Sequence, residues 1–270
     1  MHRVHLHPDW VMVRDDARRN SIIHDGYGYK QIVHTSDHTI DIKNLRGITV
    51  ALRKRFWENY VPPTPKTRTV QKVKRAKSRN AARIMGLVRG QTIHKELKTY
   101  IQALQYGSRG LHADQEMCIA TFKALHPNYH AAVPTIINIM KSKWNWIPVG
   151  AEMNVTDGPW ATGIDFLAID LNDNSLILGE LKTGYNDIFQ LGTHPMSHGL
   201  AISNSPLNQA KVQLIASSIL FSKMYPLITS YQMIIVHITS DGTKVKQFRV
   251  SANDYAVIHE ALDKYWFHSK

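Results

Sequence analysis

Gly163-Ile164-Asp165-Phe166-Leu167-Ala168-Ile169-Asp170, and shortly after it Leu176-Ile177-Leu178-Gly179-Glu180-Leu181-Lys182-Thr183-Gly184, is the stretch on which the reading of this chain turns. Between the two segments stands Leu171-Asn172-Asp173-Asn174-Ser175, a composition suited to a hairpin loop, so they read as adjacent strands. Side chains alternate faces along a strand, which places Gly163, Asp165, Leu167 and Ile169 on one side of the first. Leu176, Leu178, Glu180 and Lys182 share a side of the second. Opposed side chains in such a pair lie about 5 Å apart, so Asp165 can meet Glu180 and Lys182. Two carboxylates that converge among apolar neighbours repel each other unless a cation stands between them. Oxygen ligands of this kind suit magnesium or manganese. A bare Glu-x-Lys carries little weight by itself, because cross-strand salt bridges on solvated sheets use the same residues.

Here Glu180-Leu181-Lys182 has Gly163-Ile164-Asp165 one hairpin upstream and Thr183-Gly184 directly after it. In that combination it resembles the PD-(D/E)XK nuclease superfamily, in particular the RecB-like and lambda-exonuclease-like branch. There a Gly-x-Asp strand is followed by a strand ending in (Asp/Glu)-x-Lys-Thr-Gly. The proline that usually precedes the aspartate is absent. A second match lies upstream, where Gly90-Gln91-Thr92-Ile93-His94 fits the Gly-x-x-x-His helix motif of the same branch. From the residues alone, His94 sits within an apolar stripe of Ile84, Leu87, Val88, Leu97, Ile101 and Leu104, where a core histidine is the ordinary occupant. The resemblance instead implies a nitrogen ligand, which tilts metal preference toward manganese. Glu96 lies about 200° further round the helix and should point elsewhere.

The resemblance runs from about Gly90 to Ile238. It implies a restriction-endonuclease-like core with Asp165, Glu180 and Lys182 as catalytic residues. The metal ligands it implies are His94, Asp165 and Glu180, holding Mg2+ or Mn2+. Glu152, on a strand expected over Ile147 to Val155, matches the accessory glutamate found before Gly-x-Asp. Gln209 and Gln213 fall one turn apart on the helix that carries Gln-x-x-x-Tyr in the family, but no tyrosine follows either at that spacing. The implied activity is metal-dependent hydrolysis of nucleic acid, as a DNA exonuclease of replication, recombination or repair. The alternatives are an RNA endonuclease of the cap-snatching kind and a non-catalytic basic DNA-binding protein.

Composition points to the same class of partner. The 270 residues are 43% hydrophobic and 20% charged, ordinary for a globular chain, with a net charge of +12. Lys66 to Arg89 contains nine basic residues and no acid, and so carries most of that excess. Lys72, Lys74, Arg75, Lys77, Arg79 and Arg83 of this run are the candidate nucleic-acid contacts, reading phosphate rather than base; a solvated linker or an import signal has the same composition. A single cysteine, Cys118, excludes a disulfide framework and suggests a reducing, intracellular compartment. No segment reads as a membrane span or a signal peptide, and nothing identifies a protein partner. Walker and Gly-x-Ser-x-Gly motifs are absent.

The expected fold class is α/β, a mixed central sheet flanked by helices. Pro62-Pro63-Thr64-Pro65 marks a boundary, dividing an N-terminal appendage (1–61) and a proline-rich, basic linker (62–80) from the main domain (81–270). Within the appendage, 31–35 and 38–42 suggest a hairpin and 50–60 a helix. In the main domain, helices are expected over about 81–106, 111–125, 132–143, 206–223 and 252–266. Ser205-Pro206 supplies an N-cap and an N1 proline for the fourth. Strands are expected over 230–238 and 243–250, and 185–204 reads as a long loop near the site.

Overall fold

A computed structural model describes residues 22–24, 29–34, 40–57, 88–102, 122–124, 127–128, 130–183, 192, 194–198, 200–239 and 244–267. The basic residues Lys72, Lys74, Arg75, Lys77, Arg79 and Arg83 lie outside the described residues, as do the expected linker and most of the expected helix over 111–125.

The fold is mixed α/β: one twisted sheet with helices on both sides. Its strands are β1 (Ile22–His24), β2 (Tyr29–His34), β3 (Ile40–Gly47), β4 (Trp146–Asp157), β5 (Trp160–Asp170), β6 (Ser175–Thr183), β7 (Tyr231–Ile238) and β8 (Val245–Arg249). They run in the order β1-β2-β3-β5-β6-β7-β8, with β4 paired to β5 off that path. The pairs β3–β5 and β6–β7 are parallel and the others antiparallel. The helices are α1 (Ile48–Phe56), α2 (88–102), α3 (Ala132–Ser142), α4 (Pro206–Met224) and α5 (Ala252–Phe267).

Period-2 alternation along β6 separates two cores. Leu176 and Leu178 join the larger cluster with α1, α4 and α5, whereas Ile177 and Leu181 join a second cluster with α2 and α3. The helix ends follow their sequence signals. Ser205 Oγ accepts the Asn208 N–H at 3.2 Å, with Pro206 at the start of α4. Pro134 lies in the first turn of α3, where no intrahelical N–H is required of it.

The described residues 22–24, 29–34 and 40–57 do not stand apart as an appendage. Arg46 and Gly47 of β3 pair with Trp160 and Ala161 of β5, and the Arg46 N–H donates to the Pro159 carbonyl at 2.7 Å. Ile48, Leu52 and Phe56 of α1 are buried in the same cluster as α4. The proline run therefore does not separate two cores. Composition marks where helix stops, but not which distant strand receives the segment before it. The described part of the loop before α4 is likewise packed down: Met196 and Leu200 are buried, and Pro195 bridges to Ser203.

One close approach fixes the central hairpin. The ring of fully buried Phe166 lies across Gly179, so a Cβ on that glycine would fall 2.1 Å from Phe166 Cζ. Gly179→Ala should therefore destabilise by about 2–3 kcal/mol or more, the cost of overpacking a filled core. Urea unfolding measures this, and a neutral result would contradict the Phe166–Gly179 stack.

Candidate metal centre

The centre lies where β5 and β6 part. Their ladder runs from Asp170↔Ser175 to Phe166↔Gly179 and stops there. Asp165 and Glu180 occupy the next step, opposite each other as alternation implies. One residue further on, the Leu181 backbone would need a partner on β5, and side chains provide it instead. Its N–H donates to Asp165 Oδ2 at 2.7 Å, and its carbonyl lies 3.1 Å from His94 Nε2.

His94 reaches that carbonyl because α2 comes close to the end of β6. Gly90, one turn earlier, permits the approach, since a Cβ there would sit 2.9 Å from Thr183 Oγ1. A carbonyl oxygen only accepts, so Nε2 carries the proton. Nδ1 then faces Glu152 Oε1 at 3.5 Å and Asp165 Oδ1 at 3.6 Å. In a neutral ring that would aim a lone pair at two carboxylates, and only a second proton or a cation relieves the clash. Glu96, as expected, points away, its Oε2 accepting the His130 N–H at 2.7 Å.

His94, Glu152 and Asp165 each place a ligand atom within 4.8 Å of the others. Adjacent ligands around an octahedral ion with ~2.1 Å bonds stand about 3 Å apart, so a small contraction closes this set on Mg2+ or Mn2+. The set differs from the expected one in a single member. Glu152, expected as an accessory, joins His94 and Asp165 in this group, while Glu180, the third expected ligand, has its Oε1 bound by the Lys182 ammonium. Lys182 Nζ also donates to Gln213 Oε1 at 3.3 Å, which brings that residue of α4 to the site. Gln209 does not reach it; its amide nitrogen donates to Asn204 Oδ1 at 2.9 Å. Glu180 Oε2 is buried without a hydrogen-bond partner. A bare buried carboxylate oxygen is costly, and this one fits a centre built to receive positive charge.

Glu152 stands in strained backbone. Its φ of 51° is left-handed, within β4, between the ladder pairs Ala151↔Phe166 and Met153↔Ile164. A side chain there costs about 1–2 kcal/mol. Alternation along a strand cannot forecast such a residue. Glu152 was named in advance only through the resemblance; Tyr29 of β2 was missed by sequence reasoning. Its hydroxyl would lie 3.8 Å from a Cβ on Gly163, beside Glu152 Oε2 at the same distance. The hairpin expected over 31–35 and 38–42 stops short of it, and it lies more than a hundred positions upstream of Gly163.

Charge in the centre is finely opposed. Burial pushes the His94 pKa down, but the charges of Asp165, Glu152 and Glu180 together outweigh it and hold the ring up at about 9. Burial, and then the Asp165 charge, raise Glu180 to about 7 against the pull of Lys182. Burial also raises Asp165, opposed most strongly by the His94 charge.

No family model and no curated protein matches this chain. Among solved structures it is similar to one described as "Crystal structure of SSO0001", at 16% identity and a TM-score of 0.26, over 66% of this chain and 76% of the other. A likeness of that size carries no argument about function.

Two predictions follow from the charge and the strain. All three groups have folded pKa values above their unfolded ones, so the metal-free fold binds protons that the unfolded chain releases. Its stability is fullest in acid and falls with rising pH, for Glu180 between 4.5 and about 7 and for His94 between 6.5 and about 9. In EDTA, Tm should drop steadily from about pH 5 to about pH 9, and Mn2+ should restore it most at the alkaline end. A flat metal-free profile would contradict the coupling. Glu152→Gly should raise the metal-free Tm by relieving a left-handed φ and one like charge, while weakening Mn2+ binding at least ~10-fold. Calorimetry with and without metal reads both.

Proposed function

We propose that this chain is a metal-dependent nuclease that hydrolyses phosphodiester bonds of DNA, with Mg2+ or Mn2+ held by His94, Glu152 and Asp165. The supporting observation is that compact group standing beside a lysine whose ammonium is carried between Glu180 and Gln213. A divalent cation bound there lowers the pKa of its water and offsets the charge that develops on the phosphate.

The chain's own residues divide the remaining work. Leu181 fixes two of the three ligands through its backbone, so neither Asp165 nor His94 has to be reoriented when metal arrives. Lys182 presents a positive charge at the edge of a half-buried site, suited to orienting the attacking water or neutralising a phosphate oxygen. Glu180 holds that ammonium by one oxygen and keeps Oε2 unclaimed on the buried side. The net charge of +12 supports a polyanionic substrate. No described helix is long and apolar enough to cross a membrane.

The test uses end-labelled and circular DNA and RNA with Mg2+, Mn2+ or EDTA. Lys182→Ala should still bind Mn2+ and DNA but cut at least ~10²-fold more slowly, the usual scale for a positioned charge or proton-transfer group. Asp165→Ala should lose both metal binding and cleavage. Wild-type protein that binds DNA yet cuts neither polymer with either metal would defeat the proposal in favour of a non-catalytic binder.

A further inference from the structure

From Ile42 to Trp57 the chain holds Lys43, Arg46, Arg53, Lys54 and Arg55, all exposed, and no acid. The register of the β2–β3 ladder sorts the hairpin's charges between its two faces. Asp41 falls with Tyr29, Gln31 and Lys43 on one, whereas Lys30, Asn44 and Arg46 share the other, which holds no acid. Arg46 reaches from that acid-free face toward Trp160, whose ring packs on the apolar cluster that also takes α1, α4 and α5.

Two arginines and two rings form a row there. The Arg46 guanidinium lies 6.0 Å from the centre of the Trp160 ring, and that ring lies 6.3 Å from the ring of Tyr265 on α5. The Arg55 guanidinium of α1 stands 5.7 Å from the Tyr265 ring, which also meets buried Phe56 edge-on at 6.0 Å. A ring occupies one flat face of a guanidinium and leaves its in-plane N–H fork for an anion. Acids do not take that fork: among the described residues neither arginine has a carboxylate at ion-pair distance. The acids on the elements bearing the rings are matched elsewhere. Asp157, opposite Trp160 in the β4–β5 ladder, bonds Lys223 at 2.5 Å. On α5, Asp254 pairs with Lys211, Glu260 with Lys264 and Asp263 with His259.

We propose that Arg46 and Arg55, carried on the rings of Trp160 and Tyr265, form a phosphate clamp for a nucleic-acid backbone at a distance from the metal centre. The occupant is argued from charge and donor geometry. A guanidinium fork matches the paired oxygens of a phosphate, and a ring that already holds it reduces the freedom lost on binding. Such contacts grip and position a strand without reading its bases. Trp160 and Asp165 are five residues apart on β5, about 17 Å, so one strand can occupy the clamp and the centre together. That the strand is a substrate rests on the nuclease reading above; the clamp itself rests on the row of rings and cations.

The experiment measures binding of fluorescent single-stranded and duplex DNA to the full chain in EDTA, so that cleavage plays no part. Arg46→Gln combined with Arg55→Gln should weaken binding at least ~10-fold and lower the slope of log K against log salt by about 1.4–1.8, two phosphate contacts. Arg46→Lys with Arg55→Lys keeps both charges but loses the forks, so affinity should fall by ~3-fold or more while the slope stays. Lys141→Gln with Lys143→Gln removes two charges from α3, across the sheet, and should leave the slope unchanged. Thermal melts establish that each variant folds. If the double glutamine variant does not, the single ones are read, each expected to lose about 0.7–0.9 of slope. An unchanged slope in the glutamine variants would overturn the clamp, as would wild-type protein that binds no DNA. An equal drop in slope from the α3 pair, or displacement of DNA by polyglutamate as readily as by unlabelled DNA, would overturn it as diffuse attraction. A slope that falls as far in the lysine pair as in the glutamine pair would overturn it as lost packing. Wild-type protein that never cuts, yet shows the arginine-specific loss, would sink the nuclease reading and leave the clamp standing. Metal-dependent cutting with no effect at Arg46 and Arg55 would do the reverse.

Discussion

The peptide groups around Leu181 hold the candidate centre together. An antiparallel ladder normally consumes every second residue's N–H and C=O on its neighbour. The β5–β6 ladder ends at Phe166↔Gly179, so Leu181 has both groups turned toward a strand that has moved away. Left bare and buried, each would cost a lost hydrogen bond. The Asp165 carboxylate accepts from one and the His94 ring donates to the other. The same two bonds that complete the sheet also orient two of the candidate ligands. Glu180 and Lys182, flanking Leu181 in sequence, are carried to the site by the strand itself.

That arrangement explains which parts were legible in advance. The strand pair carrying Asp165 and Glu180 could be read because alternation and turn composition are local, and a five-residue polar spacer fixes their register. Ser205-Pro206 was equally legible, since a capping side chain and an N1 proline act within one turn. His94 looked like a core residue by periodicity, and half of that is right. Ile93, Leu97 and Ile101 around it are buried against α3, while its ring reaches the splay in the sheet. What distinguishes it is Gly90, whose missing side chain sets the distance between helix and strand.

The remainder was less legible for definite physical reasons. Glu152, named as an accessory by the resemblance and not by alternation, gains its position from a left-handed φ within β4, two residues after a register shift between Pro148 and Gly150. Strict alternation has no place for either irregularity, and both serve to turn a strand carboxylate toward His94. Tyr29 depended on the parallel pairing of β3 with β5, a contact between segments that share no local signal. The proline run stops helix locally, which does not decide which core receives the strands before it.

The joint between β3 and β5 has a consequence for how the molecule comes together. It consists of the pairs Arg46↔Trp160 and Gly47↔Ala161, yet it closes a chain loop of more than a hundred residues. Loop closure of that length carries its entropy cost before any contact repays it, whereas β4, β5 and β6 are joined by tight turns and can zip early. The hairpin with Tyr29 is thus a late arrival on a sheet already laid down, and a natural unit of partial opening in the finished protein. A carboxylate cage would form first, open on one side, and acquire its phenolic wall only when the amino-terminal strands dock.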